Sequence, residues 1–346
     1  MKRLDANPLL RPEDVKPTRP DLEVMCTLNP AAVRFGHEVL LLVRVGEKAA
    51  DEAGYVVCLY YDAAEGEVKR RRIRRDDAEL DVSDPRGAFY RGRMLLSSMS
   101  HLRVARSGDG ADFRFDAAPA IFPSTPYESY GCEDARITFI EGQYYVAYTA
   151  VSDRGVTVAL ARTADFRSFE KLGVIFPPYQ KDVCIFPRKV GGMYVCRHRP
   201  FRSEFNPASI WTAYSPDLLS WGRHEMTLAP SPGTWQSNRV GAGAPPIRTE
   251  EGWLEIYHAC DDAGLYGLGA KLSDLDRPLR VLTTSSRPVL QPTAPYEVAG
   301  VYGHCVFSNG LIADDDGTLT VYYGAADRVC AAAVTTVDEM IAAAKR

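Results

Sequence analysis

The sequence predicts an all-β chain folded as a five-bladed β-propeller with a short C-terminal helix, and three observations carry that expectation. Stretches rich in aromatic and β-branched residues, broken by Gly, Pro, Asp and Asn, run through most of the 346 residues, while helical periodicity is almost absent. A degraded segment, A-x-[ST]-x-D, recurs as ARSGDG from Ala105, ARTADF from Ala161, AYSPDL from Ala213, AKLSDLD from Ala270 and AVTTVDE from Ala333. Its period of roughly 50 to 65 residues is the size of a small antiparallel unit repeated radially, an arrangement that leaves only short, protected sheet edges.

Each copy is preceded by a strand that opens on a hydrophilic turn: GHEVLLLVRV, GQYYVAYTA, GGMYVCRHR, GWLEIYHA and GTLTVYYGA. Ahead of each of these lies a further strand, in NPAAVRF, EDARITFI, DVCIFPRKV, GAPPIRTEEG and SNGLIADDDG. Five such units make one domain over residues 1–346, with residues 1–25 as an N-terminal extension. A pair of β-sandwiches is the alternative that short, evenly spaced strands also allow. TTVDEMIAAAKR reads as a closing helix over 336–346, with Thr336 or Asp338 near its start. SGDGADF at 107–113 is similar to the Asp-box turn of sialidase propellers, in which Ser and Asp brace a hairpin, and reads as a turn within a blade.

A net charge of −4 excludes a strongly basic nucleic-acid or membrane footprint. The N-terminal MKRLDANPLLRPEDVKP has no apolar signal-peptide core, and no run of about 18 apolar residues could span a bilayer, so a cytoplasmic protein is expected. The eight cysteines are scattered singly through strand-like runs, which fits reduced, buried thiols and no zinc site. No G-x-G-x-x-G, P-loop, H-E-x-x-H or nucleophile elbow is present.

In a propeller the innermost strands begin near the central channel, so polar residues at those starts converge. Asn29, Asp134, Asp182 and Asn309 are therefore expected near the axis, joined by Arg44 and Asp327 from the ends of the second strands. Carboxylates, amides and aromatics in one cup suit a sugar. Taken one at a time, an Asp or Asn at a strand start more often satisfies turn backbone. In GCEDAR, Glu133 and Asp134 on an extended strand should face opposite ways, and Arg136 should share the face of Asp134 and hold its carboxylate by paired hydrogen bonds.

With these residues in view, the chain resembles glycoside hydrolase family 130, the β-mannoside phosphorylases and related β-mannosidases. The likeness runs through LNPAAV, LLLVRV, SHLRVARS, YGCEDARIT, YYVAYTAVS, VALARTADFRSFEKLGVIFPP, KDVCIFPRKVGGMY, HRP, IWTAYSPDLLSWG, GAGAPPI, EGWLEIYHA and YYGAADRVCAAA. The resemblance implies a five-bladed propeller and assigns Asp134, in the Glu-Asp-x-Arg motif, as the single general acid of an inverting reaction. Inorganic phosphate attacks C1 of a β-mannosyl unit, and the acid protonates the leaving oxygen by way of a mannose hydroxyl. Because phosphate brings its own nucleophile, the second carboxylate of an inverting hydrolase is not needed, whereas cations to hold phosphate are.

By the same resemblance the phosphate ligands are Lys181 in QKDVCIFP, His258 in IYHA, Tyr266 in LYGLGA and Arg162 in LARTADF. The hydrolytic branch lacks part of such a set, so its retention favours phosphorolysis. Asn29, Arg44 and Asp327, with Arg136 beside them, would hold mannose, and His198 and Arg199 of HRP would lie near the acceptor sugar. Ala135 stands where the family usually has proline, and His304 where it more often has asparagine. YTAVS and GAGAPPIRTEEGWLEIYHACD lean toward the branch acting on β-1,2- rather than β-1,4-linked mannosides. The expectation is then a small mannoside and phosphate as partners, no cofactor or metal beyond phosphate as co-substrate, no nucleic acid or membrane, and a homo-oligomer left open. An inverting β-mannosidase and a non-catalytic sugar-binding propeller remain the alternatives.

Overall fold

A computed structural model of the protein describes residues 1–84 and 86–346. It is nearly all β, and its two α-helices among the described residues, Pro295–Val298 and Val337–Ala344, are short. Five antiparallel units follow one another among these residues. The first joins Leu22–Phe35, Glu38–Ala49, Ser98–Ser107 and Arg114–Phe115, and the second Gly131–Ile140, Gln143–Ser152, Gly155–Thr163 and Glu170–Phe176. The third joins Gln180–Ile185, Tyr194–Pro200, Ile210–Ser215 and Gly222–Leu228, and the fourth Arg239–Ala242, Trp253–Cys260, Tyr266–Ser273 and Val281–Thr284. The fifth contains Val306–Ala313, Thr318–Ala325 and Val329–Thr336. Its fourth strand is Lys2–Arg3, so the expected N-terminal extension instead completes the last sheet, and Arg3 also donates from Nε to Glu297 Oε1 at 2.7 Å.

Units touch in chain order and the fifth touches the first. The run LLLVRV shows why. Its strand is buried on both faces, so it reads as continuously apolar rather than alternating. Leu40 and Leu42 pack with Cys132, Ile137 and Tyr148 of the second unit, while Leu41 and Val43 pack with Ile312, Tyr322 and Ala332 of the fifth. Separate cores likewise join the second unit to the third (Leu160, Ile185, Cys196) and the fourth to the fifth (Leu254, Val306, Val321). The third and fourth meet through Ile210, Val240 and Tyr257 and through Phe186 and Trp253. All eight cysteines are buried and free.

In the first three units the recurring A-x-[ST]-x-D segment is a brace at the end of the third strand. Ser107 Oγ accepts from the Gly110 N–H at 2.9 Å while Asp109 Oδ1 accepts from Ala111 and Asp112 at 2.9 and 2.8 Å. Thr163 with Asp165 and Ser215 with Asp217 repeat the pattern. In the last copy Thr336 caps the closing helix, accepting from the Glu339 N–H at 3.1 Å while Glu339 accepts from the Thr336 N–H at 3.2 Å.

One region was not read from the sequence. Between the second and third strands of the first unit an insertion carries the hairpin Tyr55–Asp62/Glu67–Arg74 and the small sheet Leu80–Asp81, Gly87–Tyr90 and Arg93–Leu96.

Candidate active site

The site begins with a repeated fault in the first strands. Register slips between Leu28 and Ala31, Glu133 and Arg136, and Lys181 and Cys184, and the residue at each slip is left-handed: Asn29 (φ 47°), Asp134 (φ 48°) and Asp182 (φ 56°). Asn and Asp tolerate this conformation better than other residues with a Cβ, and a bulge re-aims its side chain. A fourth slip, between Ser308 and Gly310, surrounds Asn309. The four polar side chains expected near the axis are thereby linked. Asn29 Nδ2 donates to Asp134 Oδ1 at 2.9 Å, Asn309 Nδ2 donates to the Asn29 carbonyl at 3.3 Å, and Arg136 Nη2 bridges to Asp182 Oδ1 at 3.2 Å. Two glycines make room for them. A Cβ on Gly324 would lie 2.2 Å from Asn29 Oδ1, and one on Gly241 2.2 Å from His258 Nε2.

The bulge at Asp134 overturns the expectation that Glu133 and Asp134 face opposite ways. Strand alternation fails where the backbone turns left-handed, and both carboxylates meet one guanidinium: Arg44 Nη2 donates to Glu133 Oε1 at 2.8 Å and Nη1 to Asp134 Oδ1 at 3.2 Å. Arg44 Nε is anchored on Ser100 Oγ at 3.0 Å. Arg136 also departs from expectation. It holds the Asp134 main-chain carbonyl at 2.9 Å, the Ala242 carbonyl at 2.9 Å and Asp182, and at 1% exposure it positions the acid's backbone rather than touching its carboxylate or a sugar.

Burial alone pushes the Asp134 carboxyl up, but Arg44, Lys181 and Arg136 together outweigh it and hold it below its usual range. For Glu133 burial wins over Arg44, and its carboxyl is raised. Asp327, half-buried on a left-handed turn (φ 51°), has no hydrogen-bond partner among the described residues, and burial lifts it to about 6 against the pull of Arg44.

On the side of the third and fourth units the charges turn positive around Asp182. Arg199 Nε donates to Asp182 Oδ2 at 2.6 Å, leaving both its terminal nitrogens without a protein acceptor among the described residues. Burial, outweighed chiefly by Arg199 with Arg136, leaves Asp182 well below the usual carboxylate range. His258 has no exposed surface; Nε2 lies 3.4 Å from Asp182 Oδ2 but out of hydrogen-bond alignment, and burial lowers the imidazole to about 4, so it is neutral at pH 7. Tyr266 stands beside it with ring centroids 6.4 Å apart, and the Arg239 guanidinium lies 5.8 Å from the Tyr266 ring. Lys181 pairs across the strands with Arg199, lies 5.8 Å from the Phe201 ring and has no ion-pair partner among the described residues.

Two expected site residues lie elsewhere. Arg162 is on the third strand of its unit, in a surface ion pair with Glu170 at 2.7 Å, two strands out from Asp134. His198 is buried between Gln180 and His224, its ring tilted against that of Phe176 at 4.8 Å between centroids, on the face opposite Arg199. Arg199 itself belongs to the positive cluster rather than to an acceptor site. Arg239, which closes the cluster, was missed; its only sequence signal is its place at the start of a first strand, before VGAGAPP.

Asn29 Oδ1, Asn309 Oδ1 and both ring nitrogens of His258 are buried without hydrogen-bond partners, a concentration of unmet polar capacity that marks a ligand site. One acid beside a cluster of cations and neutral donors can protonate a leaving oxygen while an anion is held at the reacting carbon. That is the equipment of an enzyme that acts on glycosidic bonds. The family profile described as beta-1,4-mannooligosaccharide phosphorylase matches residues 85–346, and the chain belongs to glycoside hydrolase family 130. It is 42% identical over 98% of its length to 97% of the "Beta-1,2-mannobiose phosphorylase" of Listeria innocua serovar 6a. It is 40% identical, over 70% of its length and 80% of the relative, to a "1,2-beta-oligomannan phosphorylase" of a Thermoanaerobacter species. The solved Listeria innocua enzyme in complex with beta-1,2-mannobiose superposes with a TM-score of 0.96 over 99% of both chains at 40% identity. Family 130 hydrolases that target beta-1,2 mannosidic linkages in Candida mannan share the fold, with a TM-score of 0.74 at 21% identity over 97% of this chain and 94% of that one.

Proposed function

We propose that the protein is an inverting β-mannoside phosphorylase that moves a mannosyl unit from a β-1,2-linked mannobiose to inorganic phosphate, giving α-mannose 1-phosphate. The observation that carries the reading is one acid, Asp134, set against Lys181, Arg199 and Tyr266, with neutral His258 behind them. Asn29, Arg44 and Asp327 surround the donor sugar. The preference for β-1,2 over β-1,4 linkage rests on the Listeria innocua relative. Five units in cyclic contact support a single five-bladed propeller, with Lys2–Arg3 in the last sheet as its clasp.

The proton balance closes without a second carboxylate. Asp134 delivers a proton to the leaving oxygen as a hydrogen phosphate oxygen bonds to C1, and the sugar phosphate so formed carries the proton that restores the acid. Phosphate binding also arms the acid, because a dianion beside Lys181 and Arg199 offsets the positive charge that lowers Asp134. No cofactor is required, and a cytoplasmic site suits a sugar phosphate that must be retained. No helix is long and apolar enough to cross a membrane among the described residues.

The hydrolase reading keeps one observation in its favour: Glu133 and Asp327 are further carboxylates with raised proton affinity in the same pocket. The deciding experiment measures mannose 1-phosphate and free mannose from β-1,2- and β-1,4-mannobiose, with and without phosphate. Phosphate-dependent sugar phosphate from the β-1,2 compound is expected. Free mannose at a rate indifferent to phosphate would instead establish hydrolysis.

A further inference from the structure

We infer that Arg3, on the strand that completes the fifth sheet, is a positioning residue for Tyr266 and Asp327 and acts through Glu297, an inference that rests on the phosphorylase reading above. The sequence holds one frame twice, PSTPYE at 123–128 and PTAPYE at 292–297. Each leads into the first strand of its unit and ends on a buried glutamate. Glu128 accepts from the Ser124 and Thr125 N–H groups at 2.8 and 3.1 Å, from the Tyr148 hydroxyl at 2.7 Å and from Lys171 Nζ at 2.8 Å. Glu297 accepts from the Thr293 and Ala294 N–H groups at 2.7 and 2.9 Å, from the Tyr323 hydroxyl at 2.7 Å and from Arg3 Nε and Nη2 at 2.7 and 2.8 Å. The two sets correspond partner by partner. Tyr148 and Tyr323 lie on second strands and Lys171 and Arg3 on fourth strands, and each cation also donates to the carbonyl just ahead of its frame, Phe122 at 2.7 Å and Gln291 at 2.6 Å.

In the fifth unit the main chain at this glutamate carries two residues of the proposed site by short chains of hydrogen bonds. The Glu297 carbonyl accepts from the Cys305 N–H at 3.0 Å and the Cys305 carbonyl from the Ala326 N–H at 2.9 Å, which fixes the left-handed turn of Ala326 and Asp327 (φ 48° and 51°). The next carbonyl, of Val298, accepts from the His304 N–H at 3.2 Å, and the His304 carbonyl accepts from the Tyr266 N–H at 3.1 Å. Tyr302 ties the two chains together, its N–H on the Ala326 carbonyl at 3.1 Å and its ring 5.7 Å from that of Tyr266. Arg3 is the only ion-pair partner of Glu297 among the described residues. Without it a carboxylate stays buried with no countercharge at the root of both chains. The segment must then shift to let water reach that charge, and Tyr266 and Asp327 shift with it.

Phosphorolysis of β-1,2-mannobiose separates this role from that of a mere clasp, since it reports KM for phosphate and for the disaccharide independently of how much protein is folded. Arg3→Ala should raise the phosphate KM through Tyr266 and the mannobiose KM through Asp327, each about ten-fold, within what a misplacement of about 1 Å can cost. Arg3→Lys should restore both to near the wild-type values, because Lys171 serves Glu128 from the same place in the second unit. If Arg3→Ala lowers the unfolding temperature while both KM values stay within about twofold of wild type, Arg3 only holds the sheet together and the role is refuted. Should Arg3→Ala fail to fold, Arg3→Gln keeps a donor at Glu297 without the charge, and unchanged KM values in that variant refute the role equally. A wild-type protein that forms no mannose 1-phosphate sinks the phosphorylase reading and this role with it; an active wild type matched by its Arg3 variants sinks the role alone.

Discussion

Two knots of buried charge are built from similar residues and behave differently. Between the third and fourth units, Arg197 donates to Glu255 through Nε at 3.0 Å and Nη2 at 2.7 Å and to the Pro278 carbonyl at 2.8 Å, while Lys271 reaches Glu255 at 2.6 Å. Ser273 and Thr212 complete the network, and none of its side-chain atoms is left without a partner. Burial and Arg197 lower Lys271 to about 8, and Glu255, despite burial, is held at about 2 by the two cations. At the axis, by contrast, Arg44 is shared by two acids, Asp327 has no partner among the described residues, and the orphaned amide oxygens and imidazole nitrogens cluster around them. A satisfied network holds sheets together, whereas one with unmet donors and acceptors keeps its capacity for a ligand, at a cost in stability.

Breaking the axial knot should show in catalysis. Asp134→Asn is expected to lower kcat about a thousand-fold or more while thermal unfolding stays near that of the wild type; retained turnover would remove Asp134 from the acid's role. Breaking the structural knot should show in stability. Glu255→Ala leaves Arg197 and Lys271 buried and unpaired, and should cost about 3–5 kcal/mol in denaturant unfolding with kcat per folded molecule nearly unchanged.

Asp327 sharpens the comparison because its sign is opposite. Its folded carboxyl, at about 6 against an ordinary 3.8, binds its proton more tightly than in the unfolded chain. Its ionisation therefore costs stability as pH rises from about 4 to about 6, a cost that stays constant above that window, and Asp327→Asn should stabilise the protein at pH 7 by about 1–3 kcal/mol, with little gain at pH 4. The same variant should raise KM for the mannoside. The smallest effect is expected at Arg162, whose replacement by Ala should change stability by less than about 0.5 kcal/mol and leave KM for phosphate within about twofold. A large rise in that KM would return Arg162 to the site.

The candidate site was legible wherever repeat position alone aims a side chain. Asn29, Asp134, Asp182 and Asn309 occupy matching places in the first, second, third and fifth units, and their convergence follows from the packing of each unit on the next and of the fifth on the first. His198 and Arg199 could not both line a pocket, since neighbours on a strand face opposite ways, and alternation already excluded one of them. Arg162 was misread because a cation on a strand looks the same in sequence whether its face meets solvent or a ligand. The insertion had a signal, AAEG between VVCLYYD and EVKRRRI, that marks a hairpin turn.

By itself the sequence determined the all-β class, the repeated unit, the Ser–Asp turn at 107–113, the closing helix and the place of Asp134 at the mouth of the second unit. These depend on periodicity and on contacts a few residues apart, which a single chain displays directly. Only the tertiary structure decided that Glu133 and Asp134 share Arg44, that Arg136 serves backbone carbonyls and Asp182, and that residues 2 and 3 close the last sheet. Those outcomes depend on left-handed bulges that cancel strand alternation, and on partners such as Asn29 and Asp134, 105 positions apart, that meet only when the first unit packs against the second.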